Sequence, residues 1–141
     1  MSQPVVIVKG VSVVSLRIFL VEDNLTIRLS LMDMLTDLAD ACLVGFAEQQ
    51  SDAIQWLTEH PDGWDVAIVD IFLKRGTGLP VLSACASRSP MQRVLVLSNY
   101  ATAAMRAQAL RLGADRVFDK SQDVDALIDY CRQVRQDVNL P

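Results

Sequence analysis

Short apolar runs alternate with amphipathic stretches along the chain, the pattern of repeated β-α units. Residues 16–21 form a compact run of β-formers that stops at Glu22-Asp23. Over 25–40 the apolar positions Ile27, Leu31, Met34, Leu35 and Leu38 recur at helical spacing. Residues 42–47 predict a second strand, and Ser51 is placed to cap a helix that buries Ala53, Ile54 and Leu57 and fades at His60-Pro61. The third run, 66–69, ends at Asp70 and is followed by a glycine-bearing loop, 74–78. Pro80 then falls in the first turn of a helix, where its missing N–H costs nothing. Residues 93–97 predict a fourth strand leading into Ser98, and a helix over 101–112 stops at Gly113. A fifth strand, 115–119, leads to Lys120, and a last helix, 122–136, buries Val124, Leu127, Ile128, Cys131 and Val134.

Five strands alternating with five helices, the strands apolar at consecutive positions, predict an α/β fold with a parallel sheet buried on both faces. Right-handed crossovers put helices on both sides, and ligands then bind at the carboxyl ends of the strands. The domain is expected over 16–137, with a short tail at 138–141. The valine-rich segment 1–15 falls outside the repeat. It reads as a tail or as an extra strand that covers a sheet edge or pairs with another subunit.

A length of 141 residues is one domain, and 51% hydrophobic residues are enough for a core. Thirteen basic against seventeen acidic side chains give a net charge of −4, which argues against direct nucleic-acid binding. Cys42, Cys85 and Cys131 are odd in number and widely spaced, and His60 is the single histidine. That pattern excludes a zinc ribbon, makes the cysteines buried small hydrophobes and fits a reducing cytoplasm. His60 reads as an exposed residue at a helix end, and Trp56 and Trp64 as packing residues. The most apolar stretch, 11–21, contains Arg17, is too short to span a bilayer and lacks a cleavage site, so no membrane attachment is expected.

Chemistry concentrates where polar residues interrupt the apolar strands. Glu22 and Asp23, Asp70, Ser98 and Lys120 end successive predicted strands, and a doubly wound sheet gathers them at one edge. Clustered carboxylates repel by roughly 4 kcal/mol per pair at about 4 Å and an effective dielectric near 20, so the group must hold a cation or a proton. Oxygen donors without histidine or cysteine favour Mg²⁺. With the Ser98 hydroxyl and the Lys120 ammonium added, the set suits phosphoryl transfer to an aspartate.

The runs Phe19-Leu-Val-Glu-Asp-Asn24, Val66-Ala-Ile-Val-Asp-Ile-Phe-Leu73, Gly76-Thr-Gly78, Val96-Leu-Ser98, Leu112-Gly-Ala-Asp115 and Phe118-Asp-Lys-Ser121, in that order and spacing, resemble the receiver domain of two-component response regulators over about 16–135. The resemblance implies a flavodoxin-like (βα)5 fold of strand order 2-1-3-4-5, chemotaxis-type, either stand-alone or part of a longer regulator. It implies that Asp70 accepts a phosphoryl group from a histidine kinase or histidine phosphotransfer protein. Asp23, Asp70 and the Phe72 carbonyl would hold Mg²⁺, Glu22 would act mainly through a water, and Ser98 and Lys120 would grip the phosphoryl oxygens. A surface from about 101 to 136 would then change for a downstream protein partner or a homodimer. Such a chain is a phosphoacceptor rather than an enzyme, its chemistry limited to self-phosphorylation and autodephosphorylation.

Four departures from the family pattern stand out, one of them shared by two residues. Val117 stands where an aromatic often reports the switch, and Asn99 where a small residue follows the hydroxyl. Phe72 and Tyr100 are bulky at positions that tune hydrolysis, and Ser121 replaces a proline that often follows a cis bond. A degenerate receiver that binds partners without phosphorylation is the alternative. A haloacid-dehalogenase-type phosphatase expects an acid where Phe72 stands, and flavodoxin-like FMN binding expects a hydroxyl- and glycine-rich loop where Glu22-Asp23-Asn24 stands.

Overall fold

In a computed structural model of the protein, which describes residues 5–8 and 11–139, the apolar runs become parallel strands wound between helices. The elements are β1 (Val5–Val8), β2 (Val11–Val14), β3 (Leu16–Val21), α1 (Leu25–Ala39), β4 (Ala41–Ala47), α2 (Gln50–Glu59), β5 (Val66–Val69), α3 (Leu79–Ala84), β6 (Arg93–Ser98), α4 (Ala103–Arg111), β7 (Arg116–Asp119) and α5 (Val124–Val138). The five-stranded sheet has the order β4-β3-β5-β6-β7, every pair parallel, which is the expected 2-1-3-4-5. Strands β1 and β2 pair antiparallel with each other as a separate two-stranded sheet. Positions 1–4, 9–10 and 140–141 lie outside the described residues.

Alternation along each strand splits the core into two layers. Leu16, Ile18, Leu20, Val66, Ile68 and Leu95 face α1 and α5, meeting Leu35, Leu127 and Cys131. Phe19, Val21, Ala67, Val69, Val94 and Val96 face α2, α3 and α4, meeting Leu57, Leu82 and Ala109. Among the described residues no helix is long and apolar enough to cross a membrane.

The helices refine the sequence expectations at several points. The buried stripe of α1 is Arg28, Leu31, Met32, Leu35 and Ala39, a face rotated from the one the apolar residues alone suggest, and Leu38 is exposed. Asn24 caps α1 by accepting the Ile27 N–H at 3.0 Å. Ser51 does not cap α2. That helix already begins at Gln50, whose N–H donates to the Arg75 carbonyl at 3.3 Å while its side chain accepts the Thr77 N–H at 3.0 Å. Loop docking thus satisfies the first donor of the helix, one residue before Ser51. His60 is half-buried, stacked on Trp56 at 4.4 Å between ring centroids, with Nδ1 2.9 Å from the Trp56 carbonyl. Cys85 and Cys131 are buried, and desolvation pushes their thiols up to about 11 and about 12; Cys42 is only half-buried.

One irregularity shapes the β4 edge. Register shifts between Ile18, opposite Leu43, and Phe19, opposite Gly45, so Val44 is an extra residue in the strand. Gly45 then lies under the Trp56 indole, which stacks on Phe19 at 4.1 Å with planes 4° apart. A Cβ at position 45 would fall inside van der Waals contact of Trp56 Cε2 and Nε1. Gly45→Val is therefore expected to lower stability by about 1–3 kcal/mol, read as a fall in the urea midpoint. In a double-mutant cycle with Trp56→Ala the two losses should not add; additive losses would place the strain elsewhere.

Candidate functional site

Sheet hydrogen bonding continues one residue past the strand ends and fixes the polar residues there. Glu22 N–H donates to the Ala47 carbonyl at 3.0 Å, Asp70 N–H to Val21 at 3.0 Å, and Lys120 N–H to Ser98 at 2.9 Å. Glu22, Asp70, Ser98 and Lys120 are thereby held side by side at the carboxyl edge of the sheet, with Asp23 one residue further along the loop after β3.

Lys120 binds two of the acids directly. Its Nζ donates to Glu22 Oε1 at 2.5 Å and to Asp70 Oδ2 at 2.9 Å. The second oxygens are occupied by backbone: Glu22 Oε2 accepts the Asn24 N–H at 3.1 Å, and Asp70 Oδ1 accepts the Phe72 N–H at 3.0 Å. Asp23 Oδ2 accepts the Lys74 N–H at 2.6 Å, which ties the β5–α3 loop to the site. That loop closes tightly on Asp70. Gly78 N–H reaches the Ile71 carbonyl at 2.9 Å, and a Cβ at 78 would strike the Asp70 carbonyl.

Charge is unbalanced here. Glu22 and Asp70 are 2% and 5% exposed, so little solvent screens them. Burial pulls the Lys120 ammonium towards release of its proton, but hydrogen bonds and attraction from Glu22 and Asp70 outweigh it, and its pKa lies above the ordinary lysine value. One ammonium against three carboxylates leaves two negative charges uncompensated. Glu22, Asp23 and Asp70 each offer an oxygen, and these oxygens lie within 4.8 Å of one another. Hard oxygen donors at that spacing with a charge deficit of two fit a divalent cation of the Mg²⁺ type.

The remaining expected residues are nearby but differently engaged. Ser98 is fully buried, and its Oγ accepts the Tyr100 N–H at 3.1 Å rather than bonding an acid. The Phe72 ring is half exposed and meets Tyr100 edge to face, with centroids 5.3 Å apart. Val117 is buried, and Arg106 reaches its carbonyl at 2.9 Å, the Ala101 carbonyl at 3.1 Å and Asp123 at 3.6 Å. The loop after Ser98, β7 and the start of α5 are thus tied by one guanidinium. The Lys120-Ser121 peptide is trans. Sequence reading missed Arg28, which is 7% exposed, donates to the Glu22 carbonyl at 3.0 Å, pairs with Glu48 at 3.1 Å and lies over the Phe46 ring at 4.3 Å. Its only signal was a charged residue four positions after the cap, in register with Leu31 and Leu35.

Comparison with known proteins agrees with this arrangement. The family model of the response regulator receiver domain matches residues 18–132. Protein-glutamate methylesterase/protein-glutamine glutaminase 1 of Methanospirillum hungatei is 32% identical over 102 residues, covering 71% of this chain and 29% of that protein. The DNA-binding transcriptional activator DevR/DosR of Mycobacterium tuberculosis is 30% identical over 99 residues, covering 70% and 44%. The chain therefore spans less than half the length of the curated relatives it matches. The response regulator domain of Thermotoga maritima CheB aligns with a TM-score of 0.73 at 25% identity, over 86% of this chain and 97% of its own. A Burkholderia pseudomallei response regulator protein with a phosphorylated aspartic acid, calcium ion and citrate shares the fold, with a TM-score of 0.72 at 22% identity over 88% and 71%. On the family match across most of its length and the sheet order alike, the chain belongs to the receiver domain family of two-component response regulators.

Proposed function

We propose that this receiver accepts a phosphoryl group on Asp70 from a histidine kinase or histidine phosphotransfer protein. The reading rests on one observation: two buried carboxylates share the single Lys120 ammonium, with a third carboxylate, Asp23, beside them. In the transfer, an Asp70 carboxylate oxygen forms a bond to phosphorus as the donor's phosphorus–nitrogen bond breaks, and the imidazole leaves with the electron pair. Glu22, Asp23, Asp70 and the Phe72 carbonyl would hold Mg²⁺, which when bound offsets the charge gathering on the phosphoryl oxygens.

The chain's own groups supply the rest. Lys120 already touches Asp70 and is positioned to follow its charge to the phosphoryl oxygens. Ser98 accepts from Tyr100 through its oxygen, which leaves its proton to donate. Phosphorylation adds about −1.5 to −2 charges, enough to reset polar contacts at the loop that begins with Ser98. Arg106 binds that loop and β7 together, so the shift reaches the surface of α4, β7 and α5, where a downstream protein would read it. The protein acts as a phosphoacceptor in the cytoplasm, not as an enzyme on a separate substrate.

With Mg²⁺ and acetyl phosphate, intact mass should show one added phosphoryl group in the protein and none in Asp70→Asn. An unmodified mass in both would instead favour a receiver that binds partners without phosphorylation. Phe72 and Tyr100, two residues after Asp70 and Ser98, meet edge to face, and in this reading their rings exclude water from the acyl phosphate. Phe72→Ala should therefore speed its hydrolysis about tenfold, or ~1.4 kcal/mol of barrier, in a time course of phosphoprotein mass. An unchanged decay would remove the rings from that role.

A further inference from the structure

Lys120 stands in the turn 119–123 that leads from β7 into α5, and its reach to the acids depends on how that turn is held. A lysine stem is long and flexible, so an ammonium that meets Glu22 and Asp70 at once needs a fixed root. No proline lies between Asp119 and Asp123 to set the backbone with its ring. Side chains set it instead.

Asp119 closes the turn twice. Its Oδ1 accepts the Ser121 N–H at 2.7 Å and the Ser121 hydroxyl at 2.5 Å, an Asx turn that spans Lys120. Its carbonyl accepts the Asp123 N–H at 2.9 Å, which starts the helical path. Asp123 bonds back. It stands at the N-cap of α5, yet its side chain makes no cap bond to that helix, and its Oδ2 accepts the Asp119 N–H at 2.9 Å. A side chain that would ordinarily satisfy a helix-end donor is diverted to the turn. With the Lys120 N–H on the Ser98 carbonyl at 2.9 Å, three successive N–H groups, those of Asp119, Lys120 and Ser121, are all bonded. Asp119 itself is half-buried, and the hydrogen bonds from Ser121 hold its carboxyl below the usual carboxylate range, so it is an acceptor at neutral pH. The Lys120 ammonium goes to Glu22 and Asp70 rather than to Asp119, so Asp119 acts on the lysine through the backbone.

From these bonds we infer that Asp119 is a positioning residue for the transfer: by bonding Ser121 across Lys120 it roots the lysine so that its ammonium meets Asp70. That the ammonium then follows the phosphoryl oxygens rests on the phosphoacceptor reading. The placement of Lys120 in the unmodified protein does not, and it can be measured separately.

The test uses the full chain with its lysines isotope-labelled, and Lys120→Gln assigns the ammonium signal of Lys120. Asp119→Ala should speed exchange of those ammonium protons about tenfold, since the ammonium leaves the acids more often. At saturating Mg²⁺ it should slow phosphorylation by acetyl phosphate about tenfold, or ~1.4 kcal/mol of barrier. Asp119→Asn keeps an oxygen that accepts the Ser121 N–H and should stay within about twofold of wild type in both measurements. Asp125→Ala, which removes an equal charge from the first turn of α5, should also stay within about twofold. Amide exchange in β3, β5 and β6 should keep its wild-type rates in every variant. Equal effects of Asp119→Ala and Asp119→Asn would reduce the residue to its charge and overturn the proposal. So would ammonium exchange unchanged by Asp119→Ala, or faster exchange of the sheet amides alongside it, which would mean general loosening. A wild-type protein that takes up no phosphoryl group would sink the phosphoacceptor reading alone, and ammonium exchange would still decide the role of Asp119.

Discussion

Two carboxylates removed from water at one edge of a sheet need a cation within reach, and Lys120 supplies it from the far side of that edge. The contact spans four strands' worth of topology: Glu22 follows β3, Asp70 the neighbouring β5, and Lys120 follows β7 at the margin. It exists only if the parallel register is right. A shift of one residue in β7 would turn Lys120 to the opposite face and leave Glu22 and Asp70 without a counter-charge. The backbone bonds from Lys120 to Ser98 and from Asp70 to Val21 therefore set the electrostatics as much as the acids do.

The same edge also explains the loops. Every acidic residue there accepts a backbone N–H from its own or the adjoining loop: Asn24 for Glu22, Lys74 for Asp23, Phe72 for Asp70. Gln50 on α2 holds the outer end of the β5–α3 loop through Thr77 and Arg75. Loops held this way are ordered by the charges they serve, which makes them sensitive to any change in those charges. Arg106 extends that sensitivity. It binds carbonyls of the loop after Ser98 and of β7, in a chain whose Val117 offers no ring to connect the two.

What could be read beforehand followed from periodicity and strand ends. Residues 18–21, 66–69 and 94–97 are apolar at successive positions because both faces of the sheet are covered, and that run pattern belongs to no amphipathic element. Asp70 was legible because it ends such a run, and Lys120 because it follows the short fifth strand, one β-α unit after Ser98. The start of α2 was not, since the helix begins one residue before Ser51 and its first donor is satisfied by a loop distant in sequence. Arg28 was hidden for a related reason: a buried arginine reads as surface until Glu22, Glu48 and Phe46 are seen around it. The extra residue Val44 left no local mark except Gly45, and a glycine in a strand has several meanings until the indole above it is placed.

Stability alone gives a poor account of the acidic edge. A buried ion pair seldom outperforms apolar residues of the same shape, because each charge must first be stripped of water at a cost of several kcal/mol. Here the balance is worse than a pair, since Lys120 faces two carboxylates and Asp23 adds a third. Apolar side chains at these strand ends would have extended a core that already reaches Val21, Val69 and Leu97. Elsewhere half-buried charges pair one to one, as in Arg17 with Asp65 at 3.0 Å and Arg88 with Asp115 at 2.9 Å. An excess of negative charge kept dry at one place is a standing demand for positive charge from outside. A module that only docked onto partners would have no use for that demand, whereas a phosphoacceptor with a divalent cation would.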